Sequence, residues 1–319
     1  MWQTARKLAG VGLSIAFVYF LVDAVRDSIT KASLYPLAPG WIAILATTTA
    51  LVAWVAALEL GAEWILRRTC VPGCTVRWRE TAMAFMKGYV LRYVPGKVWG
   101  MAVRVESLTG KVDRVDMLRC VLYEQIMLNG ATLLVALAGL GVLIQSHAEL
   151  GRGMVVTTLG LCSVLVVAVV WWPVRVFGWV NQGVHRLTGL GQEALVLRGS
   201  HADWRVAMIG YLVIVLGQGL VLVPLIRAVY TGHAAWGIGD WALALVAYPV
   251  SRLIGQVSMV APGGLGVREG TYVLLVLPIM GSLAGSVIVV WARLLSVVAE
   301  IVVLGALWVI NQGGMGIDD

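Results

Sequence analysis

Five arginines, Arg92, Arg104, Arg252, Arg268 and Arg293, stand in apolar stretches of the sequence. A guanidinium at the centre of a bilayer costs about 2.5 to 3.5 kcal/mol on insertion scales, so several in one chain require compensation or a purpose. Two of them follow an interruption. Pro95-Gly96 precedes Arg104, with Arg92 and Lys97 beside it, and Pro262-Gly263-Gly264 with Gly266 precedes Arg268 and Glu269. Proline removes a backbone donor and blocks helix continuation, which leaves free main-chain amides close to the arginines. Guanidinium forks and amides at the start of a half-helix are the groups that recognise a phosphate. The chemistry expected at the two bends is therefore capture of an anionic headgroup. Its candidate residues are Arg92, Lys97, Arg104, Arg252, Arg268 and Arg293, with Glu124 and Glu269 as the carboxylates among them, and Pro95, Gly96, Pro262, Gly263, Gly264 and Gly266 as the hinges.

A purely structural role is the competing reading. Arg104 then pairs with Glu106 or Glu124, and Arg268 with Glu269 or Glu300, as intramembrane charges commonly do. Glu59, Glu63, Glu124, Glu269 and Glu300 offer carboxyls for a proton relay, although pairing with nearby arginines is their simpler fate. Other chemistries find no residues. The four histidines (147, 185, 201 and 233) are scattered, Cys70 and Cys74 have no histidine near them, and Cys120 and Cys162 sit in apolar runs, so no metal centre is expected. No phosphate-binding GxxxxGK[ST], no HExxH and no nucleophile elbow occurs, which argues against an enzyme and against ATP-driven transport by this chain alone. No cofactor is expected.

These residues need helices to hold them. The sequence is 60% hydrophobic and 13% charged, against about 25% charged in soluble domains. Apolar runs of membrane length are expected at about 8–25, 41–65, 114–144, 154–174, 204–228 and 284–311. The first begins after Arg6 and Lys7 without a small-residue cleavage site, and is read as an anchor helix. Two further stretches, 79–110 and 240–280, are broken by the Pro-Gly interruptions and are read as bent hairpins. The fold class expected is an all-α polytopic bundle, a single transmembrane domain over 1–319 with about six full spans and two re-entrant hairpins. Each half reads span, broken hairpin, long span, which suggests a repeat over 41–144 and an inverted copy over 204–311.

The formal net charge of +7 reports topology rather than a nucleic-acid partner, because the cations fall in short connections. From Arg67 to Lys111 there are nine lysines and arginines against Glu80 and Glu106, so that face is expected in the cytoplasm together with both termini.

Tyr93-Val94-Pro95-Gly96-Lys97, the later Arg104, and Ala261-Pro262-Gly263-Gly264-Leu265-Gly266-Val267-Arg268-Glu269-Gly270 resemble the transmembrane region of lysylphosphatidylglycerol synthases and the flippase-like family around it. The resemblance implies a multi-pass protein of the bacterial inner membrane that moves a lipid with an anionic or sugar-bearing headgroup. Synthase members carry a soluble aminoacyl-transfer domain, and this chain reaches Asp319 without one, so synthase activity is not expected. The expected function is a flippase or scramblase for an anionic phospholipid or a polyprenyl-phosphate-linked sugar. The alternatives are a secondary transporter of a small anionic solute and a non-catalytic subunit of a lipid or glycan biosynthetic enzyme. Self-association or such an enzyme partner is compatible with the sequence.

Overall fold

An apolar segment in hydrocarbon has no water to receive its amides, so it satisfies them within itself as a helix. The computed structural model describes residues 41–71, 76–90, 98–146, 201–229, 237–257 and 266–313, and these are helical nearly throughout, with no strand among them. They form α1 (Trp41–Cys70), α2 (Trp78–Val90), α3 (Val98–Ser107), α4 (Arg114–Ser146), α5 (His201–Leu220), α6 (Val223–Val229), α7 (Ile238–Val257) and α8 (Val267–Gly313). Hydroxyls inside the spans turn inward on the same logic. Thr47 and Thr48 donate to the carbonyls of Ala43 and Ile44, one turn back, at 2.7 and 2.8 Å.

Four helices among the described residues are long and apolar enough to cross a membrane: Trp41–Thr69, Arg114–Gly139, Ala202–Val229 and Ile279–Leu307. They coincide with four of the expected spans. The other two, 8–25 and 154–174, lie outside the described residues. Large apolar side chains such as Ile42, Leu133, Val206, Leu274 and Ile301 face outward, as they do when hydrocarbon is the solvent. The chain is an all-helical protein with the composition and helix lengths of a membrane protein.

The two expected interruptions separate helices. α2 ends at Val90 and α3 begins at Val98, while α7 ends at Val257 and α8 begins at Val267. Arg92, Pro95, Gly96, Lys97, Pro262, Gly263 and Gly264 themselves lie outside the described residues. With 13 and 10 residues, α2 and α3 are about 20 and 15 Å long, each too short to cross a hydrocarbon core of about 30 Å.

A third break falls between the expected hairpin over 240–280 and the expected span over 284–311: α8 turns at Gly281, whose φ of 74° and ψ of 168° are open to glycine and strained for other residues. The arms 267–280 and 282–313 fold back on each other. A Cβ on Gly285 would stand 2.8 Å from the Val276 side chain and 3.6 Å from the Val273 backbone, so this glycine lets the arms close. Further along, Arg293 on the long arm donates to Glu269 on the short arm. The other Glu269 oxygen accepts the Gly266 amide at 2.7 Å, which caps the start of the helix. Asp113 likewise caps α4 by accepting the Val115 amide at 3.0 Å.

Two large apolar cores and two smaller ones, the latter around Met117 and around Phe85, occur among the described residues. One large core joins α1, α4 and α5 around Leu66, Met127, Trp204 and Tyr211, with Tyr123 edge-on to Trp204 at 5.3 Å. The other joins α6, α7 and α8 around Ile226, Tyr272, Val276 and Ile288. α1 also packs against α8 and α4 against α7, so the halves interlock instead of standing side by side. Close approach at these crossings uses the glycines of the apolar runs: Gly139 on α4 lies against Val246, and Gly219 against the Leu245 backbone.

Candidate functional site

α1 carries two carboxylates four residues apart, Glu59 and Glu63, on a helix otherwise apolar at that depth. Four residues rise about 6 Å, one turn, so both side chains look to nearly the same side at different heights. Glu59 holds Arg252, and Glu63 holds Arg67 and Arg104.

Glu63 belongs to a closed group of charges. Its Oε1 accepts from Arg67 Nε at 2.8 Å and from Arg67 Nη2 at 2.6 Å. Its Oε2 accepts from Arg104 Nη2, which also donates to Glu124 Oε2 on α4. Exposures of 1% for Glu63, 2% for Arg67, 6% for Arg104 and 7% for Glu124 mean that these four charges meet almost no solvent. Two arginines against two glutamates leave the group formally neutral, the condition under which buried charges persist.

Glu59, one turn away, accepts from Gln218 Nε2 at 3.0 Å and from Arg252 Nη1 at 3.2 Å. These residues line a small cleft between α1, α5, α7 and α8, whose wall also includes Tyr248, Arg268, Ser296 and Glu300. Arg268 differs from Arg104, Arg252 and Arg293 in that it forms no ion pair among the described residues. Its guanidinium carbon lies over the Tyr248 ring, 4.5 Å from the centroid, and its Nε, like those of Arg104 and Arg293, is buried without an acceptor among the described residues. Tyr272 stands edge-on to Tyr248 at 6.4 Å and backs this ring.

Two helix pairs, α2 with α3 and α7 with the start of α8, share a local design. In the first, Arg104 of α3 lies over the Phe85 ring of α2 at 4.8 Å, and Gly88 of α2 faces both the Arg104 side chain and the Gly100 backbone. In the second, Arg268 of α8 lies over Tyr248 of α7, and a Cβ on Gly255 would sit 3.0 Å from Arg268 Cβ. In each pair the later helix thus lays an arginine across a glycine and an aromatic ring of the earlier one, an arrangement that combines close packing with a cation–π contact. Gly88→Ala is expected to destabilise the fold by about 1 to 3 kcal/mol, because the added methyl would meet the Gly100 carbonyl oxygen at 2.6 Å and backbone cannot swing aside. Thermal unfolding in detergent reads this, and an unchanged midpoint would contradict the packing of α2 on α3.

The residues expected to act are therefore distributed. Arg104 and Glu124 meet, with Glu63 and Arg67 added. Arg252 and Arg268 line one cleft. Glu269 and Arg293 pair with each other across the α8 turn. Of the pairings left open by the sequence, Arg104 takes Glu124 and not Glu106, which lies 3.3 Å from Arg114. Arg268 takes neither Glu269 nor Glu300. Arg67, counted among the loop cations, is buried instead. Glu59, Glu63, Arg67, Gln218, Tyr248 and Ser296 were absent from the expected site. The signal for the first three was legible: Glu59, Glu63 and Arg67 recur every four residues in an apolar span, placing them on one helical face.

No family model matches the chain and no curated protein matches it. The resemblance to the flippase-like family thus rests on the motif residues alone.

Proposed function

We propose that the protein moves a lipid with an anionic headgroup, an amino-acid-modified phospholipid or a polyprenyl-phosphate-linked sugar, across a bacterial cytoplasmic membrane. In this reading it is a multi-pass protein with both termini in the cytoplasm. The two hairpins are inverted repeats whose bends meet the lipid, and the headgroup passes through the cleft while the tails stay in hydrocarbon. The observation that carries the reading is Arg268: a cation that lines the cleft, rests on an aromatic ring and lacks a carboxylate partner among the described residues. An arginine in that state has donors to offer a phosphate, and its planar fork can engage two oxygens at once. Gln218, Tyr248 and Ser296 add neutral polar groups to the same wall.

Arg104 does not share this role. Two carboxylates already occupy it, so the sequence expectation of one continuous arginine-lined seam narrows to the cleft of Arg252 and Arg268.

The test is reconstitution of the purified protein in vesicles whose outer leaflet carries a fluorescent anionic phospholipid or a polyprenyl-phosphate sugar. Transfer to the inner leaflet faster than in protein-free vesicles is the expected result. Accumulation of a soluble phosphate ester in place of lipid movement would replace this reading with solute transport. No movement of either by the protein alone would favour a subunit role.

A further inference from the structure

Glu63 and Glu124 are drawn together by one nitrogen. Arg104 Nη2 donates to an oxygen of each, so the two carboxyl groups lie side by side on one guanidinium nitrogen. Two ionised carboxylates in contact repel strongly where solvent is excluded, and such pairs relieve the repulsion by sharing one proton. The neighbours of the two groups are unequal. Glu63 has Arg67 and Arg104, while Arg104 is the sole cation bonded to Glu124 among the described residues.

The groups around the pair are few. α1 contributes Glu59, Glu63 and Arg67, and Glu59 is itself engaged by Gln218 and Arg252. α2 contributes the Phe85 ring, and its Lys87 is exposed. α3 contributes Arg104. α7, packed on α4, brings Arg252, which is committed to Glu59, and Asp240, which accepts the Gly237 amide. α5 contributes Tyr211, 2% exposed, with a buried hydroxyl that has no partner among the described residues. Glu63 lies seven residues, about 10 Å, from the end of α1 at Cys70, on the side of the basic segment, so the pair is a short way from that face.

We propose that Glu63 and Glu124 hold one exchangeable proton between them, and that its uptake and release is coupled to the transport cycle. This rests on the transport function proposed above. With the proton bound, the group of Glu63, Glu124, Arg67 and Arg104 carries a charge of +1. With the proton released to water, both carboxylates are ionised and the charge is zero. Proton binding therefore changes the charge beside α1, the helix whose Glu59 borders the lipid cleft one turn away.

Two measurements separate this proposal from the transport reading. The first needs no substrate: infrared titration of the purified protein should show a protonated-carboxyl stretch that disappears as pH rises. Both Glu124→Gln and Glu63→Gln should abolish that band, since the remaining carboxylate keeps Arg104 to itself. Absence of the band in the unmodified protein at neutral and mildly acidic pH, or its survival in both variants, overturns the shared proton. The second imposes a pH gradient of one unit across vesicles containing the labelled lipid. Coupling of one proton to one lipid sustains a leaflet asymmetry of up to about tenfold, lost in Glu124→Gln. Lipid movement that equilibrates evenly despite the gradient overturns the coupling and leaves the transport function standing. If no lipid moves at all, the transport reading and the coupling fall together, and the infrared band alone decides the proton pair.

Discussion

Replacing Glu63 with alanine is expected to destabilise the folded protein by about 3 to 5 kcal/mol, the largest loss of stability from any single site described. The loss comes from what is left behind. Arg67 directs two donors at Glu63 and Arg104 directs a third, and both guanidiniums are buried. Removing the carboxylate strands two cations with only Glu124 to offset them. Glu63→Gln keeps an acceptor oxygen and the side-chain volume, and falls between wild type and alanine. A fall in the thermal midpoint ranked alanine, then glutamine, then wild type is the expected outcome. Equal midpoints for all three would show that Arg67 and Arg104 find solvent or other partners, and that the closed charge group does not hold α1, α3 and α4 together.

Arg268→Ala is expected to do the opposite: to leave stability unchanged or raised, and to weaken lipid binding and transport by about 10- to 100-fold. The first half follows because Arg268 forms no ion pair among the described residues and its Nε is buried without an acceptor, so its charge is a liability until a ligand meets it. The second follows because a hydrogen bond to a charged group contributes about 1.5 to 3 kcal/mol, and about 1.4 kcal/mol is a factor of ten in affinity. Arg268→Lys keeps the charge and loses the planar fork that lies over Tyr248, so an intermediate rate is expected. Titration with a short-chain anionic lipid and the vesicle assay read the two effects. A large drop in thermal midpoint with unaltered transport would reassign Arg268 to a structural role. Side by side, the Glu63 and Arg268 variants separate an arginine group that holds the bundle from an arginine that meets cargo.

The features readable from sequence and those that were not divide along a physical line. A span declares itself by local apolar length, and the four membrane-length helices coincide with expected segments because that property needs no knowledge of neighbours. The ends of α2 at Val90 and of α7 at Val257 are local too, since proline and glycine act on their own backbone. Ion pairing is different. Glu106 is two residues from Arg104 in sequence, but on a helix they point apart, and the partners that reach Arg104 come from α1 and α4 through packing. The boundary near residue 281 was legible as the change from the 240–280 hairpin to the 284–311 span, but that Gly281 makes the turn and that α8 doubles back there is shown only by its backbone angles and the contacts of Gly285. The same holds for Gly88 and Gly255, whose meaning is an arginine on a different arm.

Glu59 and Glu63 are one turn apart on a rigid rod, and that ties together the movements of their partners Arg252 and Arg104. A small roll or slide of α1 that lengthens the Glu59 contact to Arg252 must also move Glu63 against Arg104, because four residues of helix allow no slack between them. Occupancy on one side and the state of the other are then linked by a single mechanical coordinate. Whatever free energy a bound molecule spends in shifting that coordinate reappears, with equal size, as a change in what the opposite side prefers.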